Sequence, residues 1–131
     1  MRINNVIRHK GIKNTSFLVC LSFAWLCLAH SQSFIFWDES LCGYTGRDKP
    51  IADFFTHHKG KVNCFLGAAE TLVRQSIDEY LKDGRDNLQV AFGCTGGQHR
   101  SVYFADRMSE RLAGTDGVEI EVSHVAKPHW K

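Results

Sequence analysis

Residues 62–92 restrict the fold more than any other part of the chain. Val62, Phe65, Leu66, Ala69, Leu72, Val73, Ile77, Tyr80 and Leu81 recur at helical spacing. Gly84 follows just past them, where a glycine closes a helix in the left-handed conformation. Residues 83–87 then make a turn. Residues 88–92, LQVAF, are short and β-prone, and they run without a break into the glycine-rich FGCTGGQHRSV of 92–102. Beyond it Val102, Ala105, Met108 and Leu112 mark one face of a second helix that ends near Gly114. Val118, Ile120 and Val122 alternate with Glu119, Glu121 and Ser123, the pattern of a half-buried strand. Strand, helix, strand, helix, strand predicts an α/β fold: one small domain, its mostly parallel sheet flanked by helices. A length of 131 residues suits one such domain.

Upstream, residues 34–37, FIFW, read as an edge or entry strand. Thr45-Gly46 reads as a turn, Asp48 as an N-cap, and Pro50 falls in a first turn where its missing N–H costs little. Ile51, Phe54 and Phe55 indicate a short helix, ended by His57, His58, Lys59 and Gly60. Residues 1–31 differ in composition. They hold Arg2, Arg8, Lys10 and Lys13 and no acid, then an apolar run over 17–29 broken only by Ser22, then Ala29-His30-Ser31. That order is the layout of a secretory signal peptide, and the run is short for a membrane span. The alternatives are a buried strand or helix of the domain, or a segment that is not native sequence. The domain is therefore expected over 34–124, with 1–33 set apart as signal-like or non-native and 125–131 as a flexible tail.

Without those four cations the formal balance is twelve Lys and Arg against fourteen Asp and Glu, so the +2 of the whole chain becomes −2. Such a body gives no support for broad nonspecific nucleic-acid binding. Of five cysteines, Cys20 and Cys27 lie in the apolar run, leaving Cys42, Cys64 and Cys94 with no CxxC pair. An odd count leans toward free thiols and a reducing compartment.

The glycine-rich run carries the chemistry. A loop between a strand and a helix N-terminus points backbone N–H groups at one centre, and the helix dipole adds partial positive charge there. Gly96 and Gly97 let the backbone approach a ligand closely. Arg100, in the first helical turn, offers two parallel N–H donors to a phosphate. Thr95 and Ser101 add hydroxyls. The same field is expected to draw Cys94 toward thiolate, and His99 to add pH-dependent charge. The bland alternative is a tight turn with Arg100 on a surface acid. Cys94, Gly97, Arg100 and Ser101 also keep the C-x-x-G-x-x-R-S spacing of cysteine-dependent phosphatases.

GCTGGQHRSV, with YTGRDKPIADF upstream across a long helix, resembles the C-terminal domain of the RNase adapter protein RapZ family over about 41–123. The resemblance implies a cytoplasmic domain that binds a phosphorylated amino sugar and contacts RNA and a partner protein such as an RNase; an oligomer is compatible with it. It places the ligand on Thr95, Gly96, Gly97 and Arg100, supported by Cys94, His99, Ser101, Thr45, Gly46 and Asp48. The chain is closer to the stand-alone relatives, because it has no G-x-x-x-x-G-K-[ST] run and hence no support for nucleotide hydrolysis. The family's D-x-R-x-x-x-N-P stretch before the TG motif reads FIFWDESLCG here, and its late His-Arg pair reads His124-Val125.

The expected role is therefore to hold a phosphorylated small molecule, a sugar phosphate or nucleotide, without catalysis, cofactor or stable membrane association. The rival is a phosphatase with Cys94 as nucleophile, Arg100 as oxyanion clamp and Asp48 as the best available acid. Gly93 stands where those enzymes usually carry a thiol-tuning histidine. The seven histidines show no metal-ligand spacing. Arg47, Lys49, Lys59, Lys61, Lys127, Lys131 and Trp130 are the candidates for RNA contact.

Overall fold

The computed structural model describes residues 5–9, 17–22, 39–85, 87–94 and 98–124, with backbone alone for 5–9, 17–22 and Glu39. Among the described residues four strands and three α-helices follow in the order β1 (Asn5–His9), β2 (Phe17–Ser22), α1 (Lys49–His57), α2 (Lys59–Lys82), β3 (Leu88–Gly93), α3 (Arg100–Leu112) and β4 (Ile120–His124), with a 3-10 turn at Glu39–Leu41 before α1.

The expected α/β architecture is present, and its sheet differs from the expected one. Strand order is β2-β3-β1-β4. β2 and β3 pair in parallel, Phe17 opposite Leu88 and Ser22 opposite Gly93. β1 pairs antiparallel with both β3 and β4. β2, β3 and β4 therefore run the same way, as the helical crossovers between them require. β1 enters between β3 and β4 against that direction, so one pairing is parallel and two are antiparallel. The sequence showed the β3-α3-β4 crossover but not the strand filling the gap between its ends. Both β1 and β2 come from the stretch set apart as 1–33. The strand expected at 34–37 lies outside the described residues.

Helix boundaries follow local chemistry. α2 ends in a paired closure: the Arg85 N–H donates to the Tyr80 carbonyl at 2.8 Å, and the Gly84 N–H to Leu81 at 3.2 Å. Gly84 takes the positive φ of 65° that this closure needs. After α3 the chain leaves differently: Gly114, at φ 79°, holds the third position of a turn closed by the Thr115 N–H donating to the Leu112 carbonyl at 3.2 Å. α1 ends at His57 with His58 as its C-cap, within the His57–Gly60 stretch expected to end it; α2 starts at Lys59, so Gly60 already lies in the next helix. His58 bridges the two helices, its Nδ1 3.1 Å from the Phe54 carbonyl and its ring stacked on Phe54.

The apolar stripe of α2 buries Val62, Leu66, Ala69, Val73 and Ile77. Leu72 and Leu81, also expected inside, are 52% and 44% exposed. α3 contributes Phe104, Ala105, Met108 and Leu112 to the core, with Val102 also buried, and β3 contributes Leu88, Val90 and Phe92. Phe55, Tyr103, Phe104 and Phe65 interlock as an aromatic ladder joining the three helices, with Phe55 stacked on Tyr103 at 4.3 Å and Phe65 edge-on to Phe104 at 4.8 Å. The buried rings of Phe55 and Phe104 each contribute about 2–3 kcal/mol through area removed from water, and the half-buried Phe65 and Tyr103 less. A polar strut fixes α2 to α3. Glu70 accepts from Arg74 Nε at 2.9 Å and Arg111 Nη1 at 3.1 Å, while Arg74 Nη2 donates to the Arg111 carbonyl at 2.8 Å. The guanidinium of Arg74 thereby satisfies a carbonyl of the last turn of α3. Pairing with Arg74, and then Arg111, holds the Glu70 carboxyl below its ordinary range.

Candidate anion site at the strand ends

β3 delivers the chain to the end of the sheet where ligands bind in parallel α/β proteins, the carboxyl end of the parallel strands. Gly93 lies beside Ser22 there, and Asn5 pairs with Phe92 on one side and His124 on the other. Cys94 follows, buried, and α3 begins at Arg100. Residues 95–97, and with them Thr95, Gly96 and Gly97, lie outside the described residues.

The flanks of the loop are held closely. The Cys94 thiol donates to Ser101 Oγ at 3.2 Å, closing the two arms across the buried base of the loop. Gln98 is buried and donates through Nε2 to the carbonyls of Cys42 at 2.9 Å and Tyr44 at 3.2 Å. His99 Nε2 donates to the Leu41 carbonyl at 3.1 Å. Burial first, and the neighbouring Arg100 charge, push the His99 imidazole below its ordinary value despite that hydrogen bond. The protonated form of His99 is thus disfavoured, and the ring acts as a brace on the Leu41 carbonyl. Arg100, the first residue of α3, is only 5% exposed.

The upstream TG turn is the platform beneath. The Gly46 N–H donates to the Gln98 carbonyl at 2.7 Å. A Cβ on Gly46 would collide with the His99 carbonyl oxygen and the Tyr103 nitrogen, and would lie 2.8 Å from Val102 Cβ. Only glycine lets the turn reach the start of α3. Asp48 has the extended backbone of an N-cap but makes no side-chain cap. Its carboxylate turns back instead, accepting from the Thr45 N–H at 2.6 Å and the Thr45 hydroxyl at 3.0 Å. Arg47 forks onto Asp106 of α3, Nε to Oδ2 at 2.7 Å and Nη2 to Oδ1 at 3.1 Å. His124 Nε2 meets the same carboxylate at 3.1 Å. Of the expected residues, Thr45, Gly46, Asp48, Cys94, His99, Arg100 and Ser101 thus gather at one end of the sheet. Gln98 and Asp106 complete the arrangement and were not foreseen; His124, noted at the position of the family's late His-Arg pair, joins them through Asp106. Gln98 could have been found from its place inside the motif; Asp106 had no signal, because its partners are remote in sequence.

The family described as the RapZ C-terminal domain matches residues 35–127. The chain belongs to the RapZ C-terminal domain family. Curated relatives are similar over the same region. A protein named nucleotide-binding protein from Bifidobacterium longum is 40% identical over 88 residues, which are 67% of this chain and 26% of that protein. Others of that name, from Parafrankia sp. and Corynebacterium jeikeium, are 40% and 38% identical over 88 and 89 residues, with 30% of each covered. The chain thus spans under a third of the length of these relatives. In this RapZ C-terminal domain no group of His, Cys, Asp or Glu among the described residues is arranged to hold a metal ion. No described helix is long and apolar enough to cross a membrane.

Proposed function

We propose that this chain is a non-catalytic binding domain that grips a phosphorylated small molecule, a sugar phosphate or nucleotide, in the Cys94–Ser101 loop. The observation that carries the reading is the buried Arg100 at the first position of α3, where the parallel strands end and the TG turn braces the loop. Backbone N–H groups of the loop and the positive end of α3 would complement the phosphate charge, and the guanidinium would fork onto its oxygens. Thr95, Gly96 and Gly97 would supply the close backbone approach. Cys94, His99, Ser101, Thr45, Gly46 and Asp48 support this grip by holding the loop. The relatives named nucleotide-binding proteins support the same ligand class.

A hydrolytic role has less support. The Cys94 thiol is engaged as a donor to Ser101, and the Asp48 carboxylate is taken up by Thr45. An adapter role, in which the loaded domain contacts RNA or a regulatory protein in the cytoplasm, extends the family assignment. Two of the cations suggested for RNA contact are paired within the chain, Arg47 with Asp106 and Lys49 with Asp53.

The test is thermal denaturation with and without a hexosamine 6-phosphate or a nucleoside monophosphate, beside turnover of a chromogenic phosphate ester. At a hundredfold excess over Kd the ligand should stabilise the chain by about 2.7 kcal/mol. Arg100→Ala should abolish that gain, and no ester should turn over. Ester turnover that Cys94→Ser abolishes would instead establish the phosphatase.

A further inference from the structure

We infer that Asp106 is a positioning residue for the anion site, acting through Arg47 and the TG turn. This rests on the reading of the Cys94–Ser101 loop as that site. Asp106 lies in the middle of α3 and is not part of the loop. Its carboxylate nevertheless receives both donors of the Arg47 fork, at 2.7 and 3.1 Å, and His124 Nε2 at 3.1 Å. One side chain thereby ties together the TG turn, the body of α3 and the end of β4. A bidentate guanidinium–carboxylate pair fixes orientation as well as distance. What it orients is the preceding residue, Gly46. The Gly46 N–H supports the Gln98 carbonyl at 2.7 Å, and its Cα lies flush against the backbone of His99 and Tyr103. Gln98 and His99 lead directly into Arg100.

The turn has a clamp on each flank. Asp48 holds Thr45 on the near side, and Asp106 holds Arg47 on the far side. The near clamp is local, three residues away, and forms within the turn itself. The far clamp sets where the turn rests on α3. Removing it leaves the turn intact and lets it lift from the helix start, which loosens the loop without unfolding the core. It also engages the Arg47 guanidinium, so that cation braces the site rather than binding the ligand.

The experiment uses the full chain, with a hexosamine 6-phosphate as the titrant for calorimetry and hydrogen exchange read at the Gly46 amide. Asp106→Asn should weaken binding at least tenfold and speed exchange at Gly46 about tenfold. Exchange at Val90, in the core strand, should stay the same. Arg47→Ala should give the same losses, and the double variant no more than either single one, because both break one link. Asp106→Glu should recover part of the affinity. Should Asp106→Asn fail to fold, Arg47→Ala, at an exposed side chain, carries the same test. Parental affinity together with unchanged Gly46 exchange in these variants would overturn the inference. So would tighter binding, which would make Arg47 a restrained ligand instead. If the parent chain binds no sugar phosphate, the anion-site reading fails, and Gly46 exchange still decides whether Asp106 holds the turn.

Discussion

Gly46→Ala tests the packing of the TG turn against α3. The added methyl has nowhere to go, because its nearest neighbours are the backbone oxygen of His99 and the backbone nitrogen of Tyr103, with Val102 Cβ at 2.8 Å. A flexible side chain would swing aside; helix backbone cannot. Overpacking costs typically about 1–3 kcal/mol, and backbone neighbours put this case at the upper end. Displacing the turn also loses the Gly46–Gln98 hydrogen bond, worth about 1 kcal/mol. Alanine returns roughly 0.4–1 kcal/mol by restricting the unfolded chain. The balance is a loss of about 3 kcal/mol, or a fall in Tm on the order of 10 °C. Urea unfolding followed by circular dichroism measures it, with an unchanged slope expected. Gly67→Ala is the control. Gly67 lies in mid-α2 with open space around it, so alanine there should add roughly 0.5–1 kcal/mol. If Gly46→Ala unfolds within about 1 kcal/mol of the parent while Gly67→Ala stabilises as stated, the close approach of the turn to the helix is refuted.

Three further outcomes are expected. Glu70→Gln should cost roughly 1 kcal/mol at neutral pH. The depressed carboxyl gives stability that is present above the ordinary glutamate range and lost as pH falls through it, so the variant's acid unfolding profile should be flatter between about pH 5 and 3. His99 has its folded-state value below the ordinary 6.5, so the unfolded chain takes up the proton first as pH falls. The urea midpoint should therefore decline from pH 7.5 to 5.5, and decline less in His99→Gln. The Tyr80 hydroxyl is buried with no hydrogen-bond partner among the described residues. Tyr80→Phe should leave the melting temperature unchanged or raise it, by up to about 1 kcal/mol in stability; a clear drop would reveal a bridging water.

Much of the body was legible because local signals are strong there. The apolar period of 62–81 and Gly84 located α2 and its closure, and LQVAF before the glycines located β3. Leu72 and Leu81 fitted the same period yet face outward, since periodicity fixes a stripe but not its width. Asp48 illustrates a second limit. Sequence placed it correctly at a helix start but could not choose between the helix N–H groups and Thr45 as partners for its carboxylate. His99 illustrates a third: its charge state is set by burial against residues near Leu41, far away in the chain. The antiparallel β1 was hidden for a like reason, since a strand's neighbours are written nowhere in its own residues. The loop fared better, because Cys94 and Ser101 reach one another within a single strand-to-helix connection.

The place of β1 has a consequence for how the molecule assembles. Val6 meets Ala91 on one flank and Ser123 on the other, so the earliest strand is completed by the latest ones. Loop closure over such spans precedes any reward from pairing, which slows folding. On a translating ribosome this strand would emerge long before its neighbours and wait with both edges bare, while α1 and α2 wind locally. Until then its open edges are free to mispair with other extended segments, well before any ligand can matter.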